Sequence, residues 1–230
     1  MAPLPKRRRT ALVFDLDGTL IDSVYQHVLA WHHALRETGI DLSIWRIHRR
    51  IGMSGGLFAR ALLRETHRDH LDQELLARLQ RLHAEAYNRI GGEVQPLPGT
   101  PELLRRLTEI GCPWAIATSG RMETAGPILV RLGIPEDVPI ITRDLVRHAK
   151  PDPDLFLAAV DRLGVPHADV YVVGDSIWDM LAARRAGVLS VGLLAGGYGT
   201  GELERAGAYR VYDDPAMLMQ HLDELGIRGD

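Results

Sequence analysis

The chain of 230 residues holds a single cysteine, Cys112. An internal disulfide is therefore excluded, and a reducing cytoplasm fits this usage. No apolar run approaches bilayer-spanning length, so no membrane partner is expected. Neither sign of charge is in large excess. The net charge of -3 gives no case for nucleic acid or an anionic membrane as partner. The ten histidines form no H-E-x-x-H string and no cysteine-paired zinc spacing. Internal repeats and low-complexity segments are absent. The basic run Lys6 to Arg9 is followed by no signal-peptide core and reads as a solvated tail. The length suits one α/β domain or two small ones, either able to bury a sizeable core.

What the chain does have is concentrated in Ala11-Leu12-Val13-Phe14-Asp15-Leu16-Asp17-Gly18-Thr19-Leu20. Four apolar residues running into a turn signal read as a buried strand. Its polar tip then lies at the carboxyl end, where open α/β sheets bind ligands. Two carboxylates set two residues apart repel each other unless a cation or proton lies between them. An all-oxygen site of this kind suits Mg2+, and Gly18 lets the backbone turn sharply beside a ligand.

The pattern then changes. Asp22 is placed to cap a helix carrying Val24, Val28, Trp31 and Leu35 on one stripe. Two further helical patterns follow, the second starting at Asp72, and no strand pattern appears between Ser23 and Gly92. Gly52-Met53-Ser54-Gly55-Gly56 reads as a flexible loop. Beyond Pro96-Leu97-Pro98-Gly99 the chain alternates strand and helix. Thr100 is expected as an N-cap, and strands are expected at 114–117, 139–142, 170–173, 189–192 and 210–212. Such alternation implies a doubly wound, Rossmann-like parallel sheet, an α/β core with an all-helical block inserted after the first strand. The expected division is a core of 1–21 and 95–230 and a helical cap of 22–94.

Each remaining candidate follows a strand. Thr118, with the backbone N–H groups of Ser119 and Gly120, is placed to hold phosphate oxygens. Lys150 precedes Pro151-Asp152-Pro153, where Pro151 keeps it out of helical geometry. Asp175 ends a buried strand, and Asp179 lies one helical turn further on. Asp15-Leu-Asp17-Gly-Thr, Ala117-Thr118-Ser119-Gly120, Lys150-Pro151-Asp152-Pro153 and Gly174-Asp175-Ser-Ile-Trp-Asp179 resemble, in order, the four motifs of the haloacid dehalogenase superfamily. The resemblance is to its phosphatase branch and covers nearly the whole chain after the tail.

That resemblance implies a set of roles. Asp15 attacks phosphorus and becomes an aspartyl phosphate. Asp17 exchanges the proton with the leaving oxygen and then with water, and its backbone carbonyl binds Mg2+. Asp15 and Asp175 complete the metal ligands, and Asp179 supports them from behind. Thr118, Ser119, Gly120 and Lys150 hold the phosphoryl group. The substrate is then a small phosphorylated metabolite. His27 and Trp31 resemble the histidine and tryptophan of the first cap helix in the beta-phosphoglucomutase branch, which makes a sugar-phosphate mutase the alternative. There a cap arginine is expected to grip a second phosphate, and Gly55 stands in its place, leaving Arg49, Arg50 and Arg121 as substitutes. His27, Arg49, Arg50 and Ser54 are the cap candidates for substrate choice. Two readings of other classes remain. Gly52-Met53-Ser54-Gly55-Gly56 matches the G-x-S-x-G elbow of serine esterases, although an elbow needs a strand before its serine. A catalytically inactive binding module is the other.

Overall fold

The computed structural model describes residues 10–65, 73–90, 92 and 94–229. The basic run at 6–9, Gly91 and Asp72, the expected helix start, lie outside the described residues. Six strands form one parallel sheet: β1 (Ala11–Phe14), β2 (Trp114–Ala117), β3 (Ile140–Ile141), β4 (Val170–Gly174), β5 (Leu189–Leu193) and β6 (Ala208–Tyr212), in the order β3-β2-β1-β4-β5-β6. β1 is central, with Phe14 level with Ile116 of β2 and Val173 of β4. The chain reverses its direction across the sheet at β1, which puts the tip of β1 in the crevice where such sheets bind ligands.

Alternation along β1 divides its side chains between two cores. Leu12 and Phe14 pack with α5 (Thr100–Glu109) and α6 (Met122–Arg131), whereas Ala11 and Val13 pack with α7 (Asp154–Leu163) and α8 (Ile177–Ala186). All four are fully buried. Burying a side chain such as Phe14 contributes about 2–3 kcal/mol, so the strand that carries the acids is anchored on both faces.

The insert consists of α1 (Val24–Glu37), α2 (Ile44–His48), α3 (Gly55–Glu65) and α4 (Gln73–Ile90), and none of its described residues is in a strand. Its own apolar cluster includes Val28, Trp31, Leu35, Ile47, Phe58, Leu62 and Leu79. The chain leaves the sheet and returns to it side by side. The Asp22 N–H donates to the Gln95 carbonyl at 2.9 Å, and the Leu97 N–H to the Leu20 carbonyl at 3.0 Å. Two helices, α9 (Thr200–Ala206) and α10 (Pro215–Gln220), complete the sheet side. Among the described residues, no helix is long and apolar enough to cross a membrane.

Three local expectations are corrected. Asp22 is exposed and Ser23 occupies the cap position of α1, its hydroxyl turned to Asp17 instead of to the helix. Thr100 is the first residue of α5, after Gly99, and its hydroxyl donates to the Leu20 carbonyl at 2.9 Å. Gly55 and Gly56 open α3 and are not loop, because Phe58 N–H donates to the Ser54 carbonyl at 2.8 Å and starts the helix there.

Candidate active site

Asp15, Thr118 and Asp175 follow β1, β2 and β4 directly, so parallel strands in register bring them to one end of the sheet. Oxygens of Asp15, Asp175 and Asp179 lie within 4.8 Å of one another, and all three residues are buried. Burial pushes the Asp15 carboxyl up to about 7, with Lys150 opposing the rise and Asp179 adding to it. Burial, then Asp179 and Asp15, raise Asp175 well above the ordinary carboxylate value. The cluster thus concentrates negative charge that a bound cation or a retained proton offsets.

Lys150 supplies part of that cation. It is fully buried, and its Nζ pairs with Asp15 and lies 2.8 Å from Asp179 Oδ1. Burial alone would lower its pKa, but the attraction of Asp15 and Asp179 overrides this and holds it above the ordinary lysine value. Asp179 is committed further. Its Oδ2 accepts from the Ser176 N–H at 3.1 Å and the Ser176 hydroxyl at 2.5 Å, a reciprocal cap at the start of α8. Asp179 is therefore tied to its own helix, while Asp15 and Asp175 face the shared space.

The donor set is all oxygen, which suits a hard divalent cation. Backbone packed around it leaves no room for side chains. A Cβ on Gly196 would lie 1.8 Å from Asp175 Oδ2, and one on Gly18, whose φ is +79°, would lie 2.6 Å from the same atom. Thr19, fully buried, donates its hydroxyl to Asp175 Oδ1 at 3.1 Å. These residues fit a metal held between the β1 and β4 tips.

Asp17 differs from its neighbour. Burial would raise its pKa, but His27 and the Ser23 hydroxyl outweigh that and lower it. Both donors address one oxygen: the Ser23 hydroxyl at 2.6 Å and His27 Nε2 at 3.1 Å from Oδ1.

Asp15 and Asp17 open onto a cavity of about 250 Å³ between the sheet and the helical insert. Thr118, Ser119 and Gly120 line its floor, and His27, Trp31, Phe58, Gln80 and His83 its opposite wall. Among the described residues, its lysine and arginine lining consists of Arg121 and Arg143. One expected donor is already used: the Gly120 N–H bonds Thr118 Oγ1 at 2.9 Å. α6 begins at Met122, so Ser119 and Gly120 precede the helix and do not open it, and the Met122 N–H donates to Asp144 at 2.8 Å.

The cap candidates separate. His27 reaches the cavity. Arg49 and Arg50 do not: Arg49 pairs with Glu202 on the sheet side and lies 4.1 Å over the Tyr198 ring, and Arg50 pairs with Glu65. Their charges are engaged elsewhere. Ser54 is buried, its N–H on the Lys150 carbonyl at 3.2 Å, and the element leading up to it is α2, not a strand. Ser23, Thr19, His83, Phe58 and Arg143 belong to the site and escaped the sequence reading. For Thr19 and Ser23 the signal was a hydroxyl within eight residues of the first acid.

A family model described as haloacid dehalogenase-like hydrolase matches residues 10–187. A phosphoglycolate phosphatase of Xanthomonas campestris is 34% identical over 215 residues, 91% of this chain and 89% of that protein. A beta-phosphoglucomutase of Bacillus subtilis is 31% identical over 191 residues, 80% of this chain and 82% of that one. Among solved structures, a hydrolase from Pseudomonas syringae is 53% identical with a TM-score of 0.89, covering 94% of this chain and 99% of its own. The fold and the acid cluster thus define a hydrolase with a Rossmann-like core. The chain belongs to the haloacid dehalogenase-like hydrolase family, in its phosphatase branch.

Proposed function

We propose that the protein hydrolyses a small phosphomonoester, in a magnesium-dependent reaction, to an alcohol and inorganic phosphate. The observation that carries this reading is the pairing of two unlike carboxylates at one strand tip. Asp15 sits in a charged, buried cluster beside Lys150, and Asp17 sits two residues on with its own hydrogen-bond donors. Environments that differ this much suit two acids to two roles.

Asp15 attacks phosphorus, the bond to the leaving oxygen breaks, and Asp17 delivers a proton to that oxygen. Asp17 then takes a proton from water, the oxygen of that water attacks phosphorus, and the Asp15 carboxylate leaves. The Thr118 hydroxyl and the Ser119 N–H hold the phosphoryl oxygens, the Gly120 N–H orienting that hydroxyl from behind, and Lys150 balances the charge of Asp15 through both steps. Asp15, Asp175 and the Asp17 carbonyl would hold magnesium, whose charge offsets repulsion between carboxylates and phosphate. Residues 22–94 act as a cap over the core formed by 1–21 and 95–230, excluding water and meeting the leaving group.

The test is a steady-state screen of the magnesium-loaded protein on phosphorylated metabolites, followed by rapid quench on the best one. Phosphate covalently bound to Asp15 is expected; phosphate on Ser54, or no turnover on any ester, overturns the proposal. The mutase remains a second reading, because a beta-phosphoglucomutase is among the relatives and two arginines line the cavity. It predicts glucose 6-phosphate from beta-glucose 1-phosphate with a trace of the bisphosphate, and little phosphate release. Net hydrolysis predicts the reverse.

A further inference from the structure

His83 lies on α4, 66 residues after Asp17, yet it is tied to that carboxylate through one intermediary. Its Nε2 is 3.2 Å from His27 Nδ1, and His27 Nε2 is 3.1 Å from Asp17 Oδ1. The two imidazoles are held in a stack of rings. Tyr87 lies 4.0 Å from His27 at an interplanar angle of 4°, and Trp31 lies 4.2 Å from His83. Three chain segments therefore meet in one line: the β1 tip, α1 and α4.

The hydrogen positions along this line follow from its ends. Asp17 as a carboxylate accepts only, so His27 must donate from Nε2. Burial holds His83 well below the usual histidine value, which makes it a neutral ring with one N–H. With Nε2 turned to Asp17, the other ring nitrogen of His27, Nδ1, faces His83 Nε2 at 3.2 Å, and the geometry leaves one hydrogen between the two rings. We propose that His83 is a positioning residue: it donates to His27 Nδ1, fixes His27 as an Nε2–H donor, and so fixes the Asp17 carboxyl.

The consequence for chemistry lies in the unequal use of the two Asp17 oxygens. Ser23 and His27 both address Oδ1, and the described residues give Oδ2 no hydrogen bond. Oδ2 is left to exchange the proton with the leaving oxygen. Without His83, only the ionised Asp17 holds His27 in that tautomer, and once Asp17 carries its proton nothing does. The ring can turn its bare Nε2 to Asp17 and compete for the acidic proton. The aid lost is protonation of the leaving group, not attack by Asp15.

This inference rests on the phosphatase reading, and two esters of one shape isolate it. Phenyl phosphate leaves as a basic phenolate that needs a proton, whereas 4-nitrophenyl phosphate leaves without one. Comparing kcat/KM confines the readout to the steps through the first phosphoryl transfer. His83→Phe keeps the ring between its neighbours and removes the donor. It is expected to lower kcat/KM for phenyl phosphate about tenfold and leave 4-nitrophenyl phosphate within about twofold, and His83→Gln, which restores an N–H, is expected to recover most of the loss. An equal fall on both esters, or none on either, overturns the proposal. Nitrogen-15 shifts of His27 test it without turnover. The parent should show Nε2 protonated and Nδ1 bare, and His83→Phe should mix the two tautomers. A protonated Nδ1 in the parent overturns the relay, whereas absent phosphate release with the expected tautomer overturns the phosphatase reading alone.

Discussion

Replacing Asp15 by Asn should abolish turnover and make the metal-free protein more stable. The magnitude follows from the Asp15 carboxyl, which burial lifts from an ordinary 3.8 to about 7. Below pH 3.8 the folded and unfolded chains both hold this proton, and Asp15 contributes no difference. As pH rises from 3.8 towards 7, the unfolded chain releases it first, so each step upward favours unfolding. Above that window both states are ionised and the penalty is constant, at about 4 kcal/mol. Asn keeps the shape and cannot ionise, so Asp15→Asn should recover that amount at pH 8. For a chain of this size that is about 10 °C in melting temperature. Calorimetry in chelator at pH 4.5 and pH 8 reads the effect. The gain should be small at the lower pH and large at the higher one. Saturating magnesium should shrink it, because the cation relieves the same repulsion in the parent. An unchanged or lower melting temperature at pH 8, or a gain independent of pH, refutes the reasoning.

The chelator itself should remove phosphatase activity, and added magnesium should restore it; full turnover in the metal-free protein would contradict an acid cluster that needs a cation. Gly196→Ala places a methyl 1.8 Å from Asp175 Oδ2, so the carboxylate must move. The magnesium concentration for half-maximal activity should rise at least about tenfold, and an unchanged value would remove Asp175 from the ligand set. The Arg49–Glu202 pair links insert to sheet at half-exposed positions, 33% and 36% accessible. A double-mutant cycle of Arg49→Ala and Glu202→Ala, read by thermal unfolding, should give a coupling of about 0.5 kcal/mol; a coupling of zero would mean the pair ties nothing.

The parts of the site legible in the sequence are those whose placement is local. Asp15, Thr118 and Asp175 each follow a run of apolar residues, and a parallel sheet then assembles them without further information. Ser176 and Asp179 are three apart, the spacing of a reciprocal helix cap. The hidden parts depend on where distant segments dock. Thr19 reaches Asp175 across 156 positions, and Arg49 reaches Glu202 across 153. A hydroxyl beside an acid, or an arginine in a basic run, has many partners open to it until the chain folds. Caps failed for a related reason. Asp22 and Thr100 are good capping types, but Ser23 was a better neighbour for Asp17, and Thr100 found the Leu20 carbonyl at 2.9 Å. Tertiary hydrogen bonds won over local ones.

The fate of the cap arginines bears directly on which branch of chemistry the site supports. A mutase binds two phosphates in exchange, one over the nucleophile and one at a second cationic clamp, and it must hold its aspartyl phosphate away from water between them. The cap candidates for that clamp, Arg49 and Arg50, are paired with Glu202 and Glu65. Position 55 is glycine, where a Cβ would touch Trp31 at 3.7 Å, and it offers no charge. The arginines that do line the cavity, Arg121 and Arg143, follow β2 and β3 on the core side, and Arg121 is itself 3.1 Å from Asp144. A second phosphate gripped there would be bound by the same rigid body as the first, so cap closure would add nothing to its hold. The cap contributes aromatic rings, Gln80 and a neutral His83, which suit an uncharged leaving group better than an anion. Water, by contrast, needs only Asp17 and an opening. On this distribution of charge, an aspartyl phosphate formed as proposed would have a ready route to hydrolysis and a poor one to transfer.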